Sequence, residues 1–201
     1  MAKFKRSRPV LSALAILLVL AGALTLWRPA MVWTKAWAAP SLIERAWDSA
    51  APGKPAPQPW PWADGRPVAV LSAPDLGLVR YVLDGASARL LAFGPARLSR
   101  AGNGSGTAKA TMLFGQHDTH FKFLRKLTPG MTLHYTGPDR LRRRFTIATT
   151  RIAEARTLSV PDDRDALVLI TGWPFDANGL VGPKRFVVTA WPANRPVAQR
   201  K

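Results

Sequence analysis

Three short stretches of this chain carry groups able to do chemistry. They are Gly115–Phe121 (GQHDTHF), Thr171–Ala177 (TGWPFDA) and Gly182–Phe186 (GPKRF). The first holds two of the chain's histidines, His117 and His120, with Gln116 and Asp118 beside them. A glutamine hydrogen-bonds but exchanges no proton near neutral pH. The second offers the Thr171 hydroxyl, Gly172, Trp173 and Asp176, and the third offers Arg185. A hydroxyl needs a base within reach to become a nucleophile. In a strand, Thr171 and Gly172 face opposite ways. His117 faces away from Gln116 if that segment is extended, unless a bulge re-aims it. His120 is expected to pack and hydrogen-bond near the following helix. A metal reading of His117, Asp118 and His120 lacks any ligand spacing of known type. No metal and no cofactor are expected. The chain has no cysteine, which removes thiol nucleophiles, thiolate metal sites and disulfides.

The elements that must position these groups read mostly as β. Ala166–Thr171 is apolar and β-branched, which suits a buried strand, and it stops at Gly172 and the stiff Trp173-Pro174-Phe175 run. Strand ends feeding loops are where sites are commonly built. Asp176 is expected to cap the turn after Pro174. Further strands are expected at Pro67–Leu71, Leu78–Leu83, Thr111–Phe114, Met131–Thr136, Arg143–Ile152 and Arg185–Trp191. Pro74, Asp75 and Gly77 mark a turn, Ser87–Ala92 a single helical turn, and His120–Leu127 a short helix closed by Pro129-Gly130. Ala101–Gly106 (AGNGSG) reads as a flexible loop and Val160–Asp163 as a turn. His134 is expected to point outward from its strand. Seven or so short strands with small helices suit a closed or nearly closed antiparallel-rich barrel.

The N-terminus is of another kind. Lys3, Lys5, Arg6 and Arg8 form a basic tail, 1–8, before an uncharged apolar run, 9–27. About 20 apolar residues of helix span a bilayer. The basic cluster predicts a cytoplasmic N-terminus. The competing reading is a cleavable signal peptide with Ala36-Trp37-Ala38 as its site. The run exceeds the roughly 7–15 residues of a signal core, and Arg28 and Lys35 interrupt the approach to that site, so an uncleaved transmembrane helix is the preferred reading. Residues 28–63 are read as a juxtamembrane helix (Lys35–Ser49, with Leu42, Ile43, Ala46 and Trp47 on one stripe) and a Pro-rich spacer, Ala51–Trp62. The exported domain is 64–201.

The formal net charge is +17, which raises the question of nucleic acid. The basic run Arg140, Arg142, Arg143, Arg144 comes with no recognition-helix pattern, zinc spacing or aromatic RNA-binding motif. No nucleic acid is expected. The run fits an anionic membrane or envelope surface, or more plainly a solvated strand edge where charge discourages edge pairing.

Taken in order, ASARLLAFGP (Ala86–Pro95), HDTHFKFLRKLTPG (His117–Gly130), TGWPFDA (Thr171–Ala177) and GPKRFVVTA (Gly182–Ala190) resemble the sortases. The resemblance runs from Trp60-Pro61-Trp62 to the last strand and is greatest to the single-pass type of Gram-negative proteobacteria. It implies a membrane-anchored cysteine transpeptidase fold, a sortase-like β-barrel. In that family a Cys thiolate attacks a Thr carbonyl in a sorting signal, a His handles the leaving and incoming amines, and an Arg stabilises substrate or developing charge. The resemblance maps the Arg onto Arg185, the Cys onto Gly172 and the His onto Gln116. Two of the three groups are therefore absent, and no catalytic set is intact. Arg185 is the polar group expected to keep a function; its competing role is an ion pair with Asp176.

The expected protein is thus a sortase-family member on one N-terminal anchor in the cytoplasmic membrane, its C-terminal domain periplasmic. It is expected to be a pseudoenzyme that binds a peptide or protein bearing a sorting-type signal through Arg185, Gln116, His117, Thr171 and Trp173. The alternatives are an active transpeptidase or hydrolase with a non-Cys nucleophile, and a structural envelope protein using its basic surface.

Overall fold

The computed structural model describes residues 12–13, 15–19, 21–22, 38–85, 87–97, 110–159, 165–176 and 182–193. The loop and turn expected at Ala101–Gly106 and Val160–Asp163 lie outside them. The chain divides into two units, Met1–Pro40 and Ser41–Lys201. In the first, residues 12–13, 15–19 and 21–22 are helical. Among the described residues no helix is long and apolar enough to cross a membrane; the rest of the expected 9–27 span lies outside them.

The second unit is a closed barrel. Its strands are β1 (Pro67–Ala73), β2 (Leu78–Asp84), β3 (Ala96–Arg97), β4 (Ala110–Phe114), β5 (Thr132–Thr136), β6 (Arg142–Glu154), β7 (Ala166–Gly172) and β8 (Lys184–Pro192). Around the barrel they run β1-β2-β3-β4-β7-β8-β6-β5. Two neighbouring pairs, β2 with β3 and β4 with β7, are parallel, and the others are antiparallel. Closure leaves no edge. Arg142, Arg143 and Arg144 pair with Thr136, Tyr135 and His134 of β5, so the expectation of a solvated strand edge there is corrected. His134 itself is half-buried, between the buried Leu133 and Tyr135.

Local chemistry explains the connections. Pro74–Leu76 makes one 3-10 turn between β1 and β2, closed by Gly77 at φ 61, a left-handed conformation natural to glycine. Ser87 Oγ accepts from the Leu90 amide at 3.1 Å and caps a single helical turn, Ala88–Leu91. The helix expected over His120–Leu127 is a 3-10 helix, Lys122–Lys126, with Phe123 and Leu124 buried. The two-residue β3 is too short to show a period and was not foreseen.

The barrel is filled by alternate residues: Ala69 and Leu71, Leu113, Leu133 and Tyr135, Phe145 and Ile147, Leu167 and Leu169, Val188 and Ala190. Phe121 and Leu124 enter the same core. β7 differs from a half-exposed strand. Its outward residues Ala166, Val168 and Ile170 are also buried, in a second cluster with Val187. This accounts for its unbroken apolar run.

Helix α1 (38–48) packs its stripe on the barrel. Ile43 joins Leu83, Leu90 and Ala96 in one cluster. Tyr81 donates from its hydroxyl to Glu44 Oε1 at 2.8 Å. The Pro-rich stretch also lies on the barrel and does not stand free. Ala56 is buried, the Gly53 amide donates to the Pro138 carbonyl at 2.9 Å, and the Trp60 ring meets Phe93 edge-on at 5.1 Å. Arg140 fastens the far end of α1. Its guanidinium lies 3.7 Å from the Trp47 ring centroid and donates to the carbonyls of Trp47 and Ala50. Trp47 stands in the last turn of α1 and Ala50 just past it, where carbonyls leave the helical ladder. Arg140 does this from φ 63, a conformation that disfavours side chains.

Arg140→Ala is therefore expected to destabilise the protein by about 1–3 kcal/mol, from the lost cation–π contact and charged hydrogen bonds. Arg140→Gly loses the same contacts but relieves the backbone, so it should be the milder change by about 1 kcal/mol. Denaturant midpoints measure the difference; equal losses would refute the strained latch.

Candidate functional site

The site is built where β7 ends. Gly172 pairs with Arg185 across β8, and Arg185 pairs in turn with Ala153 of β6. Residues directly opposite in a sheet project on the same face. A side chain at position 172 would therefore share a face with Arg185. Alternation from the core residues Leu167 and Leu169 makes this the outer face of the barrel. Along it, Phe114 pairs with Ile170 and Met112 with Val168, with Val187 beside them. The outer face is thus an apolar floor ending at a glycine and an arginine. Gly172 is a ladder residue, an extended conformation open to any side chain.

Thr171 faces the other way. It is buried, and its hydroxyl donates to the Gly115 carbonyl at 2.7 Å. The Gly115 amide in turn donates to the Ile170 carbonyl at 3.3 Å. These two bonds fix the start of the Gln116 segment against the end of β7.

That segment is a compact turn and not an extended strand. The Phe121 amide donates to the Gln116 carbonyl at 2.9 Å, and the Thr119 hydroxyl donates to Gln116 Oε1 at 3.1 Å. The turn folds over Gly115. A Cβ there would come within 2.6 Å of the Phe121 ring. Glycine is thus required for close approach, and the fully buried Phe121 is the reason. His117 is buried within this turn, and Gln116 is half-buried at its start. His120 turns away to the α2 side (Ala88–Leu91 and its cap), where Nε2 lies 3.2 Å from the Ala92 carbonyl oxygen. Desolvation holds its pKa below the usual imidazole range, and the nearby Arg80 adds to this. The Ala92 carbonyl and Asp118 act in the opposite sense. Among the described residues no three His, Asp or Glu side chains are grouped to hold a metal ion.

On the other side of the β7 end, Trp173 stacks on Phe186 at 6.0 Å and meets Phe175 edge-on at 5.6 Å. Phe175 and Phe186 close the trio at 5.2 Å. Sequence reading missed Phe175 and Phe186 as supports of this end. The signal was present, since Phe186 follows Arg185 on the opposite face of the same strand. The Arg185 guanidinium donates through Nη1 to the Gly182 and Lys184 carbonyls, at 2.7 and 2.8 Å. Asp176, considered above as its ion-pair partner, lies instead 3.5 Å from Arg125 Nη1. Among the described residues the Arg185 guanidinium donates only to neutral carbonyls, a state suited to holding a carbonyl or carboxylate oxygen.

This is a β-barrel with a polar rim at the end of its central strand, and its relatives agree. The model of the Sortase domain matches residues 71–193, more than half of the chain. Sortase A from Corynebacterium diphtheriae is similar in structure, with 17% identity, a TM-score of 0.54, and coverage of 68% of this chain and 65% of that one. Sortase C1 from Streptococcus suis gives 18%, 0.54, 67% and 76%. Sortase A from Listeria monocytogenes gives 18%, 0.51, 62% and 85%. The chain therefore spans just under two thirds of the Corynebacterium structure it matches. A comparison with curated proteins finds no match. The chain belongs to the sortase family.

Two outcomes follow from the turn. Gly115→Ala should lower stability by about 1–3 kcal/mol through the clash with Phe121, measured by denaturant melts. The depressed His120 pKa means that the unfolded chain binds the extra proton first. Stability from this group is then complete above about pH 6.5 and is lost as pH falls below that value. His120→Asn should flatten the fall in melting temperature over that range; an unchanged pH profile would contradict the assignment.

Proposed function

We propose that this protein is a membrane-anchored, catalytically inactive sortase-family member that binds a peptide or envelope protein through a sorting-type signal. One observation carries the reading: Arg185 stands directly across the ladder from Gly172, where a nucleophile's side chain would have to project. A glycine there forms no acyl-enzyme, and Gln116 supplies no general base. Affinity and bond-making are separable, so a groove without its nucleophile still binds. The half-buried Met112 and Phe114, backed by the buried Val168, Ile170 and Val187, supply apolar surface for a peptide's side chains, and Arg185 supplies charge at its end. Gln116 offers a rim hydrogen bond, and Trp173 walls the rim. Thr171 and His117 hold the frame from within.

The reading with a different nucleophile has little support, because the Thr171 hydroxyl is committed to Gly115 from the inner face. The basic tail and the 9–27 apolar run support an anchor in the cytoplasmic membrane with the barrel on the periplasmic side.

The test uses the full chain in neutral detergent with fluorescent sorting-signal peptides and an amine acceptor. Anisotropy should show saturable binding that Arg185→Ala weakens roughly tenfold, the scale of a lost charged hydrogen bond. Mass spectrometry should show the peptide intact. Cleavage or amine transfer that Thr171→Val or His117→Ala abolishes would overturn the inactive reading.

A further inference from the structure

Arg185 stands at the end of the apolar floor with its donors only partly used. A guanidinium carries five N–H donors and keeps its charge at any pH a protein meets. Nη1 commits both of its hydrogens to backbone, to the Gly182 carbonyl at 2.7 Å and the Lys184 carbonyl at 2.8 Å. The Lys184 carbonyl also accepts from the Trp173 amide at 3.2 Å. The guanidinium is thus tied to an oxygen that points at the end of β7, beside Gly172. Nε and Nη2 have no partner among the described residues. These two nitrogens share one edge of the guanidinium plane with their N–H bonds parallel, the fork that takes both oxygens of one carboxylate.

No acid balances the charge at this point. Among the described residues Arg185 enters no ion pair. Asp176 meets Arg125 instead, and Glu154 stands opposite Lys184, on the face turned away from Arg185. Arg185 is half-buried, so its charge is screened less than one on an open surface. Directly across the ladder, where opposed Cβ atoms stand about 4.5–5.5 Å apart, Gly172 sets no side chain. The end of β7 therefore offers Arg185 no group of its own there.

The floor leads to this place from one side. Met112 pairs with Val168 and Phe114 with Ile170, in step towards Gly172. Past Gly172, the Gln116 turn and Trp173 stand at the far end. A peptide laid along the floor thus has apolar residues behind it and Arg185 at its leading backbone group. An internal peptide carbonyl brings one oxygen and no net charge. A chain end brings two oxygens and a negative charge, which matches both the fork and the unbalanced cation.

We propose, resting on the peptide-binding reading above, that the ligand is a chain end: a peptide whose free C-terminal carboxylate sits in the Nε–Nη2 fork of Arg185, its preceding apolar side chains on Met112 and Phe114. Such an end is the product of peptide-bond hydrolysis. The protein then favours a signal that has already been cut over the intact one.

The full chain in neutral detergent is titrated by fluorescence anisotropy with one N-terminally labelled sorting-signal peptide in four forms. These are the peptide cut after its threonine as the free acid, the same cut form as the amide, the intact signal, and the amide with aspartate in place of that threonine. The free acid should bind roughly tenfold tighter than its amide and than the intact signal, and the preference should shrink as salt rises. Arg185→Gln should bring acid and amide within about twofold of each other; comparing the two forms in each variant cancels any general effect on the groove. Arg185→Lys keeps the charge but loses the fork, and should keep only part of the preference. It also serves as the test if the glutamine variant fails to fold. Equal binding of acid, amide and intact signal overturns the chain-end proposal and leaves peptide binding standing. An acid preference that survives in Arg185→Gln overturns it too, as does an aspartate amide that matches the free acid, which assigns a side-chain carboxylate. Absence of binding by every form overturns both readings.

Discussion

The rest of the structure depends on burying β7 on both faces. Its inner residues, Leu167 and Leu169, close the barrel core, and its outer residues, Ala166, Val168 and Ile170, close a second cluster. A strand buried on two sides, with β4 parallel on one flank and β8 antiparallel on the other, has little freedom to slide. A shift of one residue would exchange the two sets and expose the polar Thr171 to the outer face. The register is thus fixed, and with it the place of Gly172 opposite Arg185.

The same constraint separates support from chemistry. Thr171 ties β7 to Gly115 from within, and Gly115 admits Phe121, which holds the Gln116 turn. The aromatic trio of Trp173, Phe175 and Phe186 braces the other side. These supports stand on both sides of a position that carries no side chain. On the proposed reading, a glycine at 172 removes bond-making while leaving the apolar floor and the arginine in place. α1 and the Pro-rich stretch belong to the same economy of surface, since both cover barrel wall that would otherwise be exposed.

Much of this was legible in the sequence. Period-two patterns and turn residues placed seven of the strands within a residue or two, and the apolar run at Ala166–Thr171 marked the central strand. The Ser87 cap and the Gly77 turn carried their own chemistry. What could not be read was pairing. Nothing local in β4 or β7 says that they run parallel, and β3 has only two residues. A closed or nearly closed barrel was legible from the strand count, but not which strands close it, so Arg142–Arg144 was read as an edge when the barrel has none. Ion-pair partners are set by folding over distance, which is why Asp176 meets Arg125 and not Arg185. The packing of the Pro-rich stretch depends on Phe93 and Pro138, remote in sequence.

The central claim is that position 172 is a vacated nucleophile position in a groove that is otherwise intact. The direct measurement is the alkylation rate of the introduced thiol in Gly172→Cys with Gln116→His, followed against pH with and without a sorting-signal peptide. A thiol beside Arg185 should titrate below the ordinary value of about 8.5, and the peptide should slow its alkylation by occupying the floor beside it. A thiol that stays inert, or reacts like a free cysteine and ignores the peptide, would contradict the account.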